Sequence, residues 1–120
     1  MLDRMSSALP KASFWILTVL ASGRRHGYEI LRRTTDASQG RVSLKVATLY
    51  ATLERLEAEG AIAADGEEIV AGRARRYFVI TPQGATRLTA EVDLMERSAR
   101  AARQQLAAHG TDVAQGLAFS

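Results

Sequence analysis

Arg73, Arg75 and Arg76 crowd into four positions just after the turn pair Ala71-Gly72. Guanidinium groups are planar forks of N–H donors, suited to gripping phosphate oxygens two at a time. No acid stands between residues 71 and 87. A second set of candidates lies upstream, between Lys45 and Glu59. At roughly 100° per residue, Ala47, Thr48, Ala51 and Arg55 share one face of a helix, with Thr52 and Lys45 at its edge. Small side chains let a helix approach base edges closely, and Thr can bond a base or touch a thymine methyl. Lys45 stands where a phosphate would also meet free backbone N–H groups. Tyr50 sits at the core boundary, where its ring can pack and its hydroxyl can reach a phosphate. His26 and Tyr28 open another helix, where His26 could cap the helix or touch a phosphate. An ordinary solvated helix face is the competing reading for the Lys45–Glu59 stretch, and the adjacent basic run favours nucleic acid.

Covalent chemistry has little to work with. There is no cysteine, and the two histidines, His26 and His109, are distant in sequence. No Gly-rich phosphate loop is present, and Glu67 and Glu68 alternate across a strand and cannot act together. The expectation is no catalytic residue, no metal and no cofactor.

Several elements must position these residues. Pro10 suits the first turn of a helix running to about Ser22, apolar nearly all round and closed by Gly23. A second helix begins near His26 and carries Tyr28, Ile30 and Leu31 before the polar stretch ending at Gly40. Arg41 to Leu44 reads as a short extended piece, an edge strand. The third helix buries Val46, Leu49, Leu53 and Leu56 and stops at Gly60. Two strand-like runs, Ala61 to Val70 and Ala74 to Thr81, flank the turn at Ala71-Gly72-Arg73. A helix followed at once by a basic-tipped hairpin is the order of a winged helix-turn-helix, a mainly α, α+β fold. In it one helix enters the major groove and the hairpin touches the backbone.

After the hairpin, Thr81 caps a last helix and Pro82 takes its first position. Leu88, Val92, Met95, Ala99, Ala102 and Leu106 alternate spacings of three and four, a seam for another helix. From Pro82 to residue 108 such a helix would be roughly 40 Å long, more than a small body can cover. Dimerisation through it is the natural inference. The chain therefore divides into an arm (1–9), a winged-helix domain (10–81), a dimerisation helix (82–108) and a tail (109–120).

Composition agrees with one small domain. The chain has 120 residues and a net charge of +3, and 14 of its 16 basic residues are Arg. Arg24, Arg25, Arg32 and Arg33 form a second basic cluster against Glu29, while acids gather at Glu54, Glu57, Glu59, Asp65, Glu67 and Glu68. Charge segregated in this way suggests a face turned to a polyanion. Few aromatics imply a modest core that a partner chain would complete. Trp15 is read as core, with an effector pocket between subunits as the alternative. The longest apolar run, Phe14 to Ala21, is too short to span a bilayer and lacks a cleavage pattern after it. A cytoplasmic protein with no membrane partner is expected.

The chain resembles the PadR family of bacterial transcriptional regulators over about residues 13 to 90. The resemblance rests on His26-Gly27-Tyr28, on Thr48-Leu49-Tyr50 opening the third helix, and on the hairpin run from Gly72 through Arg73, Arg75, Arg76, Tyr77 and Phe78 to Ile80-Thr81. Val46-Ala47 stands where the family often has Gly or Pro. The resemblance implies a winged-helix repressor that dimerises through its C-terminal helix. Thr48, Leu49 and Tyr50 match the family's third-helix signature, and Arg73, Arg75 and Arg76 match its basic wing. One helix after the wing looks like the shorter subtype, in which some members bind flat hydrophobic compounds between subunits.

The expected function is a homodimeric repressor bound to a palindromic operator in double-stranded DNA, with a small hydrophobic effector as a further partner. Half-sites would lie about 10 base pairs, or a multiple, apart. The rivals are a winged-helix protein-interaction module without an operator, and an enzyme subunit, which lacks a catalytic constellation.

Overall fold

The computed structural model describes residues 9–119, with side chains described as far as Thr111. Residues 1–8 of the expected arm (1–9) lie outside the described residues; its last position, Leu9, packs against the core. The elements are α1 (Lys11–Ala21), β1 (Arg25–His26), α2 (Gly27–Ala37), α3 (Val46–Ala58), β2 (Ile62–Val70), β3 (Arg73–Ile80) and α4 (Pro82–Phe119). Two compact units divide between Thr89 and Ala90.

In the first unit, α1, α2 and α3 enclose one core against the base of the sheet. Ile16, Leu17, Leu20, Ile30, Leu49, Leu53, Leu56, Ile62 and Phe78 are all buried there. Each such side chain stabilises the fold by about 1.5–3 kcal/mol relative to exposure. α3 ends in a reciprocal pair of backbone bonds. Ala61 N–H donates to the Leu56 carbonyl at 2.9 Å and Gly60 N–H to the Glu57 carbonyl at 3.1 Å. Gly60 supplies the left-handed turn this requires, with φ of 78°. The hydroxyl of Thr81 then donates to the Gly60 carbonyl at 2.6 Å and accepts from Gly84 N–H at 3.0 Å. One threonine thus caps α4 and ties its start to the end of α3. A Cβ at Gly84 would run into the Ala61 carbonyl oxygen, so the joint admits only glycine there without movement.

The sheet has the order β1-β3-β2, antiparallel throughout. Its third strand is Arg25–His26, which pairs with Phe78 and Tyr77. This corrects the assignment of Arg41–Leu44 as an edge strand. That segment forms no strand. Ser38 holds it instead, accepting from Val42 N–H at 2.9 Å, with Val42 itself buried. In the hairpin, Val70 pairs with Arg73 across Ala71-Gly72. Both turn residues have positive φ, 52° and 76°, the geometry that matches strand twist in a two-residue hairpin. Nearer the base the register slips, so that Asp65 and Gly66 together oppose Tyr77. Arg24 clamps this bulge, its Nε lying 3.0 Å from both the carbonyl and the carboxylate of Asp65. Its guanidinium covers the Tyr77 ring at 3.8 Å.

α4 runs unbroken to Phe119, correcting the tail assigned from residue 109. Gly110 and Gly116 each cost a helix about 1 kcal/mol relative to Ala, but their neighbours include Ala107, Ala108, Ala114 and Gln115, good helix formers. Leu88, assigned to the dimer seam, is half-buried against the core of its own chain. In the second unit, Val92, Leu94, Met95 and Leu106 are exposed, Met95 to 48% and Leu106 to 67%.

Candidate nucleic-acid interface

α2 and α3, joined by the Ser38–Lys45 connection, form the helix-turn-helix. The first two turns of α3 present Lys45, Ala47, Thr48, Tyr50 and Ala51 to solvent. Residues 46–53 contain no acid, whereas Glu54, Glu57 and Glu59 gather at the other end. Glu57 and Glu59 are paired there with Arg76 at 3.8 Å and Arg87 at 2.9 Å. The acid-free end is also the positive end of the helix dipole. Both effects direct an anion toward the Lys45 end of α3.

Two expectations on α3, for Thr52 and Val46, change, and Arg55 gains a partner within the fold. Thr52 is 3% exposed and donates to the Thr48 carbonyl at 2.8 Å. Its hydroxyl is satisfied within the helix, so it belongs to the core and not to the exposed face of α3. Arg55 is exposed, but a guanidinium nitrogen donates to buried Ser13 on α1 at 3.3 Å. It ties two helices together. Val46, expected in the core, is 59% exposed. It sits on the first turn, beyond the reach of the core. Periodicity shows which face a residue shares but not how far along the helix the core extends.

A groove of about 380 Å³ runs between the start of α2, Tyr50 of α3 and the wing, lined by His26, Gly27, Tyr28, Tyr50 and Arg73 to Arg76. It gathers the residues proposed for backbone contact with Tyr50 and the wing arginines. The close approach of α3 depends on Gly27: a Cβ there would lie 2.6 Å from the Tyr50 hydroxyl. His26 caps α2 through Nδ1, which accepts from Glu29 N–H at 3.3 Å, leaving Nε2–H as the ring's donor. Its ring meets Tyr77 edge to face at 5.5 Å. Arginine forks, two tyrosine hydroxyls and an imidazole N–H make this groove rich in donors.

The wing arginines are not alike. Among the described residues, Arg73 and Arg75 have no ion pair; Arg76 pairs with Glu57 and lies over Phe78 at 5.1 Å. Strand pairing also sets Glu68 directly opposite Arg75 and Glu67 opposite Arg76. Charge that is segregated along the chain is interleaved across the hairpin, so the wing's field is weaker than the sequence suggests.

The cluster at Arg24, Arg25 and Arg33 is paired within its own chain. Arg25 and Arg33 both bind the Glu29 carboxylate, at 3.2 and 3.0 Å. Burial pushes that carboxyl up, but the hydrogen bond from Arg33 and the charges of Arg25, Arg33 and His26 outweigh it, holding its pKa below the ordinary value of 4.5. Arg32 is exposed beside Tyr28. Trp15 is half-buried, edge to face with Phe14 at 5.2 Å. Among the described residues, no cluster of His, Asp or Glu is arranged to hold a metal ion, and no helix is long and apolar enough to cross a membrane.

Comparison with known proteins bears on this geometry. The chain is similar to the transcriptional regulator Rv3488 of Mycobacterium tuberculosis, with 40% identity over 76 residues, 63% of this chain and 57% of that one. It thus spans little more than half the length of that regulator. Among solved structures it is similar to a transcriptional regulator from Clostridium thermocellum, with a TM-score of 0.66 and 26% identity, covering 77% of this chain and 89% of the other. The fold is also that of Bacillus subtilis PadR solved with operator DNA, with a TM-score of 0.62, 23% identity, and coverage of 68% and 46%. The profile of the transcriptional regulator PadR-like family matches residues 16–90, more than half the chain. The chain belongs to the PadR-like family of transcriptional regulators.

Proposed function

We propose that this regulator is a homodimeric repressor that reads a palindromic operator in double-stranded DNA. The carrying observation is the acid-free first half of α3, which exposes Lys45, Ala47, Thr48, Tyr50 and Ala51 and whose Tyr50 lines the groove shared with the wing. In this reading α3 enters the major groove, where Thr48, Ala47 and Ala51 meet base edges and thymine methyls. Arg73, Arg75, Tyr28 and His26 hold phosphates and set the register. A relative of the same fold, solved with operator DNA, supports the reading. The apolar stripe of α4 is buried by a second copy, which supplies the second half-site.

Selection of bound duplexes from a random pool tests this. A palindrome with half-sites about 10 base pairs or a multiple apart is expected. Recovery of no shared sequence would favour an interaction module, the reading that Glu67 and Glu68 on the wing support. Bordetella bronchiseptica BpsR, whose DNA binding is regulated by 6-hydroxynicotinic acid, has the same fold at a TM-score of 0.61 and 22% identity. A small hydrophobic effector at Trp15, half-buried beside Phe14, is part of the proposal, and quenching of Trp15 fluorescence by such compounds is its test. The site of action is the cytoplasm, where the operator lies.

A further inference from the structure

β3 is the middle strand of the sheet, yet half of one of its sides is open. β1 pairs only with Tyr77 and Phe78, and at Gly27 the chain turns into α2. Arg73 to Arg76 therefore have β2 on one side and, on the other, the groove lined by His26, Tyr28 and Tyr50. All of them are exposed. The ladder shows how the backbone points there. Pairs in an antiparallel ladder alternate between bonded and non-bonded, and the pair that closes a two-residue turn is a bonded one. Val70 and Arg73 close this turn, so Arg73 and Arg75 turn their backbone groups to β2. Ala74, between them, turns both its N–H and its C=O into the groove. The same alternation turns Phe78 toward β1, where Arg25 meets it.

We propose that this open edge takes an acidic peptide in extended form, as a short strand added antiparallel to β3. The peptide residue opposite Ala74 exchanges both backbone bonds with it. Its two neighbours then stand opposite Arg75 and Arg73, on the same face of the sheet as those side chains. Carboxylates fit both places. Among the described residues neither arginine has an ion pair, although Glu68 stands opposite Arg75 on the β2 side. The lining of the groove contains no acid. The recognised pattern is acid, any residue, acid. An unpaired strand edge is a template for such pairing, with main-chain bonds giving affinity and side chains giving choice. The DNA backbone suits Ala74 less well. Its oxygens only accept hydrogen bonds, so they leave the Ala74 C=O unmatched, whereas a peptide brings a donor and an acceptor. One consequence rests on the DNA-binding reading above: peptide and DNA compete for the wing arginines, so a protein carrying such a segment releases the regulator from DNA.

The test uses the whole chain and a synthetic probe, acetyl-Thr-Glu-Val-Glu-Thr-amide, with no DNA present. Titration followed by amide NMR should show the largest shift at Ala74, and hydrogen exchange of its N–H should slow. N-methylation of the probe's valine removes the donor to the Ala74 carbonyl and should weaken binding about tenfold. N-methylation of its first glutamate alters an N–H that points away from β3 and should change affinity little. Replacing both glutamates with glutamine should weaken binding and remove its salt dependence. Equal losses from the two methylations, or shifts confined to other residues, overturn the added strand. An Ala74 amide that slows with protein concentration alone gives the edge to a second copy, and one slowed as strongly by a random-sequence duplex gives it to DNA; either overturns the peptide. Competition is measured separately, by fluorescence anisotropy of a labelled random-sequence duplex. The probe should displace the duplex, and simultaneous binding of both overturns the competition. A protein that takes the probe as described and binds no duplex keeps the edge site and overturns the DNA-binding reading instead.

Discussion

Two arginine clusters look equivalent in the sequence and are paired differently in the fold. At the junction of α1 and α2, Arg25 and Arg33 share the Glu29 carboxylate and Arg24 clamps the bulge at Asp65. On the wing, Arg73 and Arg75 have no ion pair among the described residues. A guanidinium already paired contributes to stability and little to the outward field. An unpaired one contributes little to stability and can release counterions from DNA. The number of arginines in a cluster therefore says less than what each one faces.

The largest effect is expected where the free cluster borders α3. Thr48→Glu puts a carboxylate on the acid-free face of α3, against an anionic groove. Specific binding should disappear while circular dichroism and thermal stability stay unchanged; retained operator affinity would remove α3 as the reader. Next is Arg73→Ala with Arg75→Ala. Operator and random DNA should both weaken, on the order of tenfold for each charge-assisted hydrogen bond removed. The slope of log affinity against log salt should flatten by about 0.9 for each phosphate released. An unchanged slope would mean that the wing touches no phosphate.

The paired cluster should respond in the opposite way. Glu29→Gln should cost about 1–2 kcal/mol of stability at neutral pH and leave the salt slope of DNA binding untouched. Because the folded pKa of Glu29 is depressed, its contribution is present above the ordinary value of 4.5 and lost as pH falls through the folded value. Denaturation of the wild type and the variant should therefore converge in acid. A constant gap across that window would mean that the carboxylate charge is not what stabilises the junction. The smallest effect comes from sharpening the wing. Glu67→Gln with Glu68→Gln removes the acids opposite Arg76 and Arg75, and random-DNA affinity should rise by roughly a few-fold at low salt. Filter binding at two ionic strengths resolves the change.

Much of this fold was legible from local chemistry. The stop at Gly60, the Ala71-Gly72 turn and the Thr81-Pro82 start of α4 each rest on a residue whose backbone or hydroxyl does one thing. What escaped depended on contacts between distant segments. The third strand is two residues long and has no pattern of its own; β3 defines it by pairing. Thr52 reads as polar and exposed, yet a hydroxyl bonded to a carbonyl one turn back needs no other partner. Val46 reads as core because it keeps the period, but the core ends before it. The pairing of Glu67 and Glu68 with the wing arginines follows from a register that the bulge shifts by one residue. Of the candidate site, Lys45, Thr48, Tyr50 and the wing arginines were visible as residue types; the groove that Tyr50 shares with His26, Tyr28 and the wing arginines was not.

The contact between Gly27 and Tyr50 joins two positions 23 apart in sequence into a single unit of inheritance. A side chain at 27 is tolerable only if the residue at 50 shortens or swings away, and a smaller residue at 50 removes the reason for glycine. Drift at either site alone would disturb the groove while leaving the core intact. Among natural descendants of this chain the two positions should therefore change together, and a swap of one without the other should be repaired by a second change at its partner.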